Sequence, residues 1–107
     1  MSLSEPLHKQ ISELVAQNRV VLFIKGTRSM PQCGFSAQVV KIIDALLPNY
    51  ATVDALRSLK MRDGIKVFSQ WPTIPQLYVD GQFVGGCDIV NEMNASGELQ
   101  TLLGVQV

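Results

Sequence analysis

The apolar positions of this chain fall into short segments whose period changes from one to the next. Over residues 4–18, Leu7, Ile11, Leu14 and Val15 recur at helical spacing, with Ser2 or Ser4 as N-cap and Pro6 in the first turn, which predicts an amphipathic helix packed on a sheet. His8 on this helix reads as a solvated residue with no role. Val20-Val21-Leu22-Phe23-Ile24 shows no polar alternation, so it predicts a strand buried on both faces, as at the centre of an α/β sheet. From Gly34 to Leu47 the spacing of Phe35, Val39, Ile42, Ile43 and Leu46 is again helical, and Pro48-Asn49 ends the segment. Tyr50 to Val53 carries a weaker strand signal.

Residues 55–69 place Leu56, Leu59, Ile65 and Phe68 at intervals of three or its multiples, predicting one helix despite Gly64. Gln76 to Val79 and Gln82 to Val84 are β-prone runs joined by Asp80-Gly81, a strong hairpin signal, with Pro75 opening the first of them. After Gly85-Gly86-Cys87, Asp88 is the N-cap candidate of a helix through Ile89, Val90 and Met93 that Gly97 closes, and Glu98 to Leu103 forms a short final helix. Helix, strand, helix, strand, helix, hairpin, helix describes an α/β domain with a four-stranded mixed sheet and helices on both faces, a thioredoxin-like layout spanning residues 1–107 as a single domain. Fold alone leaves function open.

Composition narrows the function by exclusion. Nine basic and nine acidic side chains cancel, and the chain has no basic run, no zinc-finger spacing and no RNP-like aromatic pattern, so nucleic acid has little support. The longest apolar run is far too short for a membrane span. Met1-Ser2-Leu3-Ser4-Glu5 has neither a basic n-region nor an apolar h-region, so no targeting signal is expected, and two cysteines make no disulfide framework; the expected compartment is reducing, the cytoplasm by default.

The chemistry gathers around Lys25-Gly26-Thr27-Arg28-Ser29-Met30-Pro31-Gln32-Cys33-Gly34-Phe35-Ser36. Cys33 falls where the connection from a buried strand enters a helix, on the carboxyl-end side of the sheet where ligands bind. Free N–H groups and the positive helix end stabilise a thiolate there, and Lys25 is a nearby cation acting in the same direction. Ser36 stands where a dithiol motif would carry its second cysteine, so Cys33 lacks a local resolving thiol, yet it can form a mixed disulfide with an outside thiol or ligate a metal. The competing reading is a small, inert buried cysteine. Three further features are ambiguous alone. Arg62 and Lys66 share a helix face that is ordinarily solvated decoration, Gly85-Gly86 before a helix can hold an anion or be a plain turn, and Trp71 reads as packing beside a proline turn.

Taken together, Lys25-Gly26-Thr27, Pro31-Gln32-Cys33-Gly34-Phe35-Ser36, Trp71-Pro72-Thr73-Ile74-Pro75-Gln76 and Gly85-Gly86-Cys87-Asp88 resemble the CGFS-type monothiol glutaredoxins, over nearly the whole chain and in that family's order. Arg28 departs from it, since many members carry proline after the threonine. The resemblance implies a glutathione site. Lys25 and Arg62 would pair with the glycine carboxylate, helped by Lys66. Ile74, set by a cis Pro75, would offer its backbone to the cysteinyl part. Cys87 backbone N–H and Asp88 would hold the γ-glutamyl end, and Phe35, Thr73 and Gly86 complete the implied set.

The same resemblance implies a [2Fe–2S] cluster between two subunits, for which Cys33 from each chain and two glutathione thiolates supply the four ligands. A homodimer when loaded and a monomer otherwise, a BolA-like partner and iron–sulfur acceptor proteins follow from it, with a role in cluster transfer and iron homeostasis. The alternative is a glutathione-dependent thiol–disulfide oxidoreductase, expected to be weak at most, and a third reading is an interaction module with no chemistry. Cys87 either contributes only backbone or forms a disulfide with Cys33, which requires Cα atoms within about 7 Å. A zinc site is not expected from two distant cysteines and one remote histidine.

Overall fold

A computed structural model describes residues 3–105 of the chain. Its elements are α1 (Glu5–Gln17), β1 (Val20–Ile24), α2 (Gly34–Leu46), β2 (Ala51–Asp54), α3 (Leu59–Ser69), β3 (Gln76–Val79), β4 (Gln82–Gly85), α4 (Cys87–Ser96) and α5 (Glu98–Leu103). The sheet order is β2-β1-β3-β4; β1 runs parallel to β2 and antiparallel to β3, and β3 and β4 form the hairpin. This is the expected thioredoxin-like architecture.

β1 is buried along its whole length because helices cover both faces of the sheet. Its side chains alternate between two cores. Val20, Leu22 and Ile24 meet Val39, Val40 and Ile43 of α2, Val90 of α4, and Leu99 and Leu103 of α5. Val21 and Phe23 meet Ile11 and Val15 of α1, Met61 and Ile65 of α3, and Tyr78. At the hairpin, Asp80 (φ 52°) and Gly81 (φ 78°) both take left-handed backbone, the geometry that an Asp-Gly pair supplies to a two-residue turn.

Two boundaries differ from the sequence pattern. The helix expected over residues 55–69 is a 3₁₀ turn, Ala55–Arg57, followed by α3, because the Asp54 carboxylate accepts from Leu56 N–H and the Ser58 hydroxyl accepts from Met61 N–H, so each starts its own helical segment. Asp88 is not the N-cap of α4; Gly86 is, and the helix begins two residues earlier than expected, at Cys87. Of the two serines weighed as cap of α1, Ser4 accepts from Leu7 N–H, while Ser2 lies outside the described residues.

Candidate functional site

β1 ends at Ile24, and the chain reaches α2 through a loop whose last residue, Cys33, is the helix N-cap in extended conformation (φ −145°, ψ 138°). A serine or aspartate usually fills this place, its side-chain oxygen accepting first-turn N–H groups. The Cys33 side chain makes no capping hydrogen bond, but its sulfur stands at the same helix end. The Cys33 pKa lies below its ordinary value, chiefly because the nearby Ser36 backbone N–H favours the thiolate; the Phe35 N–H, the Ser36 hydroxyl and the Lys25 ammonium add to this against the opposing effect of burial. Ser36 is fully buried, and its oxygen also accepts from Lys25 N–H at 3.1 Å, tying the end of β1 to the first turn of α2.

Cys33 opens on a cavity of about 390 Å³. Lys25, Cys33 and Phe35 form one wall, Lys66 a second, and Trp71 to Pro75 a third. Gly86, Cys87, Asp88 and Ile89 at the start of α4 close it. The Trp71–Pro75 segment is held from below by Gln76, fully buried, whose amide donates to the carbonyls of Trp71 and Thr73 while its oxygen accepts from the Tyr78 hydroxyl. The Ile74–Pro75 peptide bond is cis, and β3 enters the sheet only at Gln76, so the backbone before it stands outside the ladder.

At the start of α4, no side chain caps Gly86, which leaves the first-turn N–H groups to a ligand or to water. A Cβ on Gly86 would come within 3.1 Å of the Pro75 carbonyl and 3.2 Å of Trp71 Nε1, so glycine is what lets this turn approach the cavity wall. Cys87 and Cys33 are both free thiols. Burial and the adjacent Asp88 carboxylate raise the Cys87 pKa, and its sulfur sits between Gln38 Oε1 at 3.7 Å and Asn91 Nδ2 at 3.5 Å. The two thiols therefore differ: Cys33 is the more acidic of the pair.

Ten of the eleven residues singled out from the sequence, Lys25, Cys33, Phe35, Lys66, Thr73, Ile74, Pro75, Gly86, Cys87 and Asp88, line this one cavity. Arg62 does not; its Nε lies 3.5 Å from the Asp63 carboxylate, and Lys66, four residues on, is the α3 cation that reaches the cavity. Trp71, read from sequence as packing, both packs against Phe83 (ring centroids 5.7 Å apart) and lines the cavity, as do Pro72 and Ile89. For Ile89 no sequence signal existed. Among the described residues, no three His, Cys, Asp or Glu side chains gather to hold a metal ion.

The arrangement is a thiol of lowered pKa in a cleft lined also by Lys25, Lys66 and the uncapped start of α4. Comparison with known proteins agrees with it. Residues 20–84 match the glutaredoxin family. A Synechocystis protein described as an uncharacterized monothiol glutaredoxin is 52% identical over 96 residues, covering 90% of each chain. A chloroplastic monothiol glutaredoxin from rice is 46% identical over 101 residues, 94% of this chain and 60% of the rice protein. Among solved structures, reduced poplar apo GrxS14 superposes with a TM-score of 0.83 at 46% identity, covering 97% of this chain and 95% of that one. A buckwheat glutaredoxin–glutathione complex gives 0.80 at 26%, covering 94% of both. The chain belongs to the glutaredoxin family, and its single thiol at the α2 N-terminus groups it with the monothiol members.

Proposed function

We propose that this monothiol glutaredoxin binds glutathione in the Cys33 cavity and, as a homodimer, carries a [2Fe–2S] cluster that it passes to iron–sulfur acceptor proteins in cluster assembly and iron homeostasis. The observation that carries the reading is the donor set: a thiol of lowered pKa, fully buried Ser36 where a resolving thiol would stand, and no cluster of three His, Cys, Asp or Glu side chains among the described residues that could hold a metal within one chain. A cluster needs four thiolates, so it fits this chain only as shared cargo, held by Cys33 from each of two copies and by the thiol of glutathione bound beside each. Ligands borrowed from solution make the cargo removable, which suits a carrier. A BolA-like protein as an alternative second subunit is part of the same proposal.

Within the cavity, Lys25 and Lys66 are the cations for the glycine carboxylate; Arg62 would join them only by leaving Asp63. The free backbone at Ile74 and Pro75 meets the cysteinyl part as a strand edge does. The first-turn N–H groups of α4 receive the γ-glutamyl carboxylate, and the Asp88 carboxylate receives its ammonium. Phe35 and Thr73 line the approach. No described helix is long and apolar enough to cross a membrane, and free thiols suit a reducing compartment. The proposed location is the cytoplasm, although the rice relative is named as chloroplastic.

The lowered Cys33 pKa also supports a second reading, glutathione-dependent thiol–disulfide exchange at low turnover. The Cys33 thiolate attacks the glutathionyl sulfur of a mixed disulfide and releases the protein thiolate. A second glutathione thiolate then attacks that sulfur, releasing glutathione disulfide and restoring Cys33. Anaerobic reconstitution with iron and sulfide, with and without glutathione, followed by visible absorption and molecular mass, separates the two. A coloured, glutathione-dependent dimer that is lost in Cys33→Ser supports the carrier. A colourless monomer that reduces mixed disulfides rapidly would replace it with the oxidoreductase.

A further inference from the structure

The loop between β1 and α2 is folded back on itself and fastened at its tip. Thr27 N–H donates to Met30 O and Met30 N–H to Thr27 O, while Gln32 N–H donates to Lys25 O at 2.8 Å. At the apex, the Arg28 guanidinium donates from Nε to Asp44 Oδ1 at 2.8 Å and from Nη2 to the Pro48 carbonyl at 3.1 Å, and its Cζ lies 4.3 Å from the centre of the Tyr50 ring. The Tyr50 hydroxyl donates to the same Asp44 oxygen at 2.8 Å, so carboxylate, carbonyl and ring form one preset seat for a planar cation. All three lie at the far end of α2 or just beyond it. As a result none of residues 26–32 lines the Cys33 cavity, although the loop runs directly into Cys33.

We infer that Arg28 is a positioning residue for Cys33: it latches the active-site loop along the flank of α2, and the latch keeps the approach to the thiol clear for bulky thiol-reactive partners such as glutathionyl disulfides. The inference rests on Cys33 being the reacting atom and not on what Cys33 carries. The latch acts through access alone. The N–H groups that stabilise the sulfur belong to Ser36 and Phe35 on α2, which Arg28 does not touch.

The test compares the intact protein with Arg28→Ala, Arg28→Lys and Asp44→Ala. Alkylation of Cys33, followed by peptide mass to separate it from Cys87, is measured with iodoacetamide as the small probe and fluorescein maleimide as the bulky one. Releasing the latch is expected to lower the bulky-to-small rate ratio about fivefold, the size expected for loss of one coupled contact, with the pH midpoint of the iodoacetamide reaction unchanged. Lysine keeps the charge but not the fork, so Arg28→Lys should fall with Arg28→Ala. Amide hydrogen exchange at Thr27, Met30 and Gln32 should speed up in the same variants. An unchanged ratio, rescue by lysine, or a displaced pH midpoint would each overturn the latch. Slow alkylation of Cys33 in the parent protein would instead remove the reading of Cys33 as an activated thiol.

Discussion

Replacing Ser36 by alanine tests the thiolate and the fold in one variant. The side chain is fully buried, its oxygen accepts from Lys25 N–H at 3.1 Å, and its hydroxyl is one of the groups that lower the Cys33 pKa. Alanine strands the Lys25 N–H in a part-buried place, which costs about 1–2 kcal/mol and, for a domain of this size, lowers Tm by roughly 5–15 °C. On the chemistry, the hydroxyl is only one of the groups holding the sulfur as thiolate. The largest is the Ser36 N–H, which alanine keeps, as it keeps the Phe35 N–H. The pH midpoint of Cys33 alkylation should therefore rise but remain below the ordinary thiol value. Iodoacetamide kinetics over a pH series, with Cys33 and Cys87 resolved by peptide mass, give the answer. An unmoved midpoint would mean that the hydroxyl is not aimed at the sulfur. A rise all the way to the ordinary value would mean that the side chain, and not the helix N-terminus, makes the thiolate.

Other outcomes follow from equally local features. Gly26 has φ 96°, and a Cβ there would meet Met30 O at 2.6 Å and Gln32 N at 2.7 Å, so Gly26→Ala should cost about 2 kcal/mol or more and loosen the active-site loop, measured by urea unfolding and hydrogen exchange. Arg19 reaches across the fold from the start of β1 to the end of α5, donating to Leu103 O at 2.8 Å and Leu102 O at 3.3 Å; Arg19→Ala should lose about 1 kcal/mol and speed exchange in α5 first. Burial pushes the Tyr78 pKa up to about 12 from 10.0. The fold therefore favours the neutral phenol, and that contribution is complete below pH 10 and is lost as pH rises from 10 through about 12. Urea midpoints should fall over that window, and less steeply in Tyr78→Phe; an equal slope in the variant would assign the alkaline loss to other groups.

The strongly patterned parts of the chain were legible before any coordinates. An apolar run with no alternation is a strand covered twice, and β1 is that; Asp80-Gly81 dictates a turn that few other pairs accept. Cys33 at a helix start was readable because a strand signal and a helical period adjoin it. What escaped is local competition and long reach. The apolar spacing over residues 55–69 cannot reveal that Asp54 and Ser58 each capture an N–H and divide the segment, since capping is a contest between side chain and backbone. Asp88 had the right chemistry for an N-cap but sits inside the first turn of α4, in the lining of the cavity. Arg62 and Lys66 share a helix face in principle, and only the three-dimensional packing shows that one turns to Asp63 and the other to the cavity. The seat for Arg28 joins residues 16 and 20 positions away, beyond what any periodicity encodes.

Trp71 is the chain's single tryptophan, and it forms part of the cavity wall with its indole nitrogen buried and without a hydrogen-bond partner. The molecule thus carries its own optical gauge at the place where ligands would enter. Excited at wavelengths that tyrosine does not absorb, its emission arises from one site, so any change in colour or intensity on adding glutathione, or any quenching by a bound iron–sulfur centre, reports occupancy of that cleft with no attached dye.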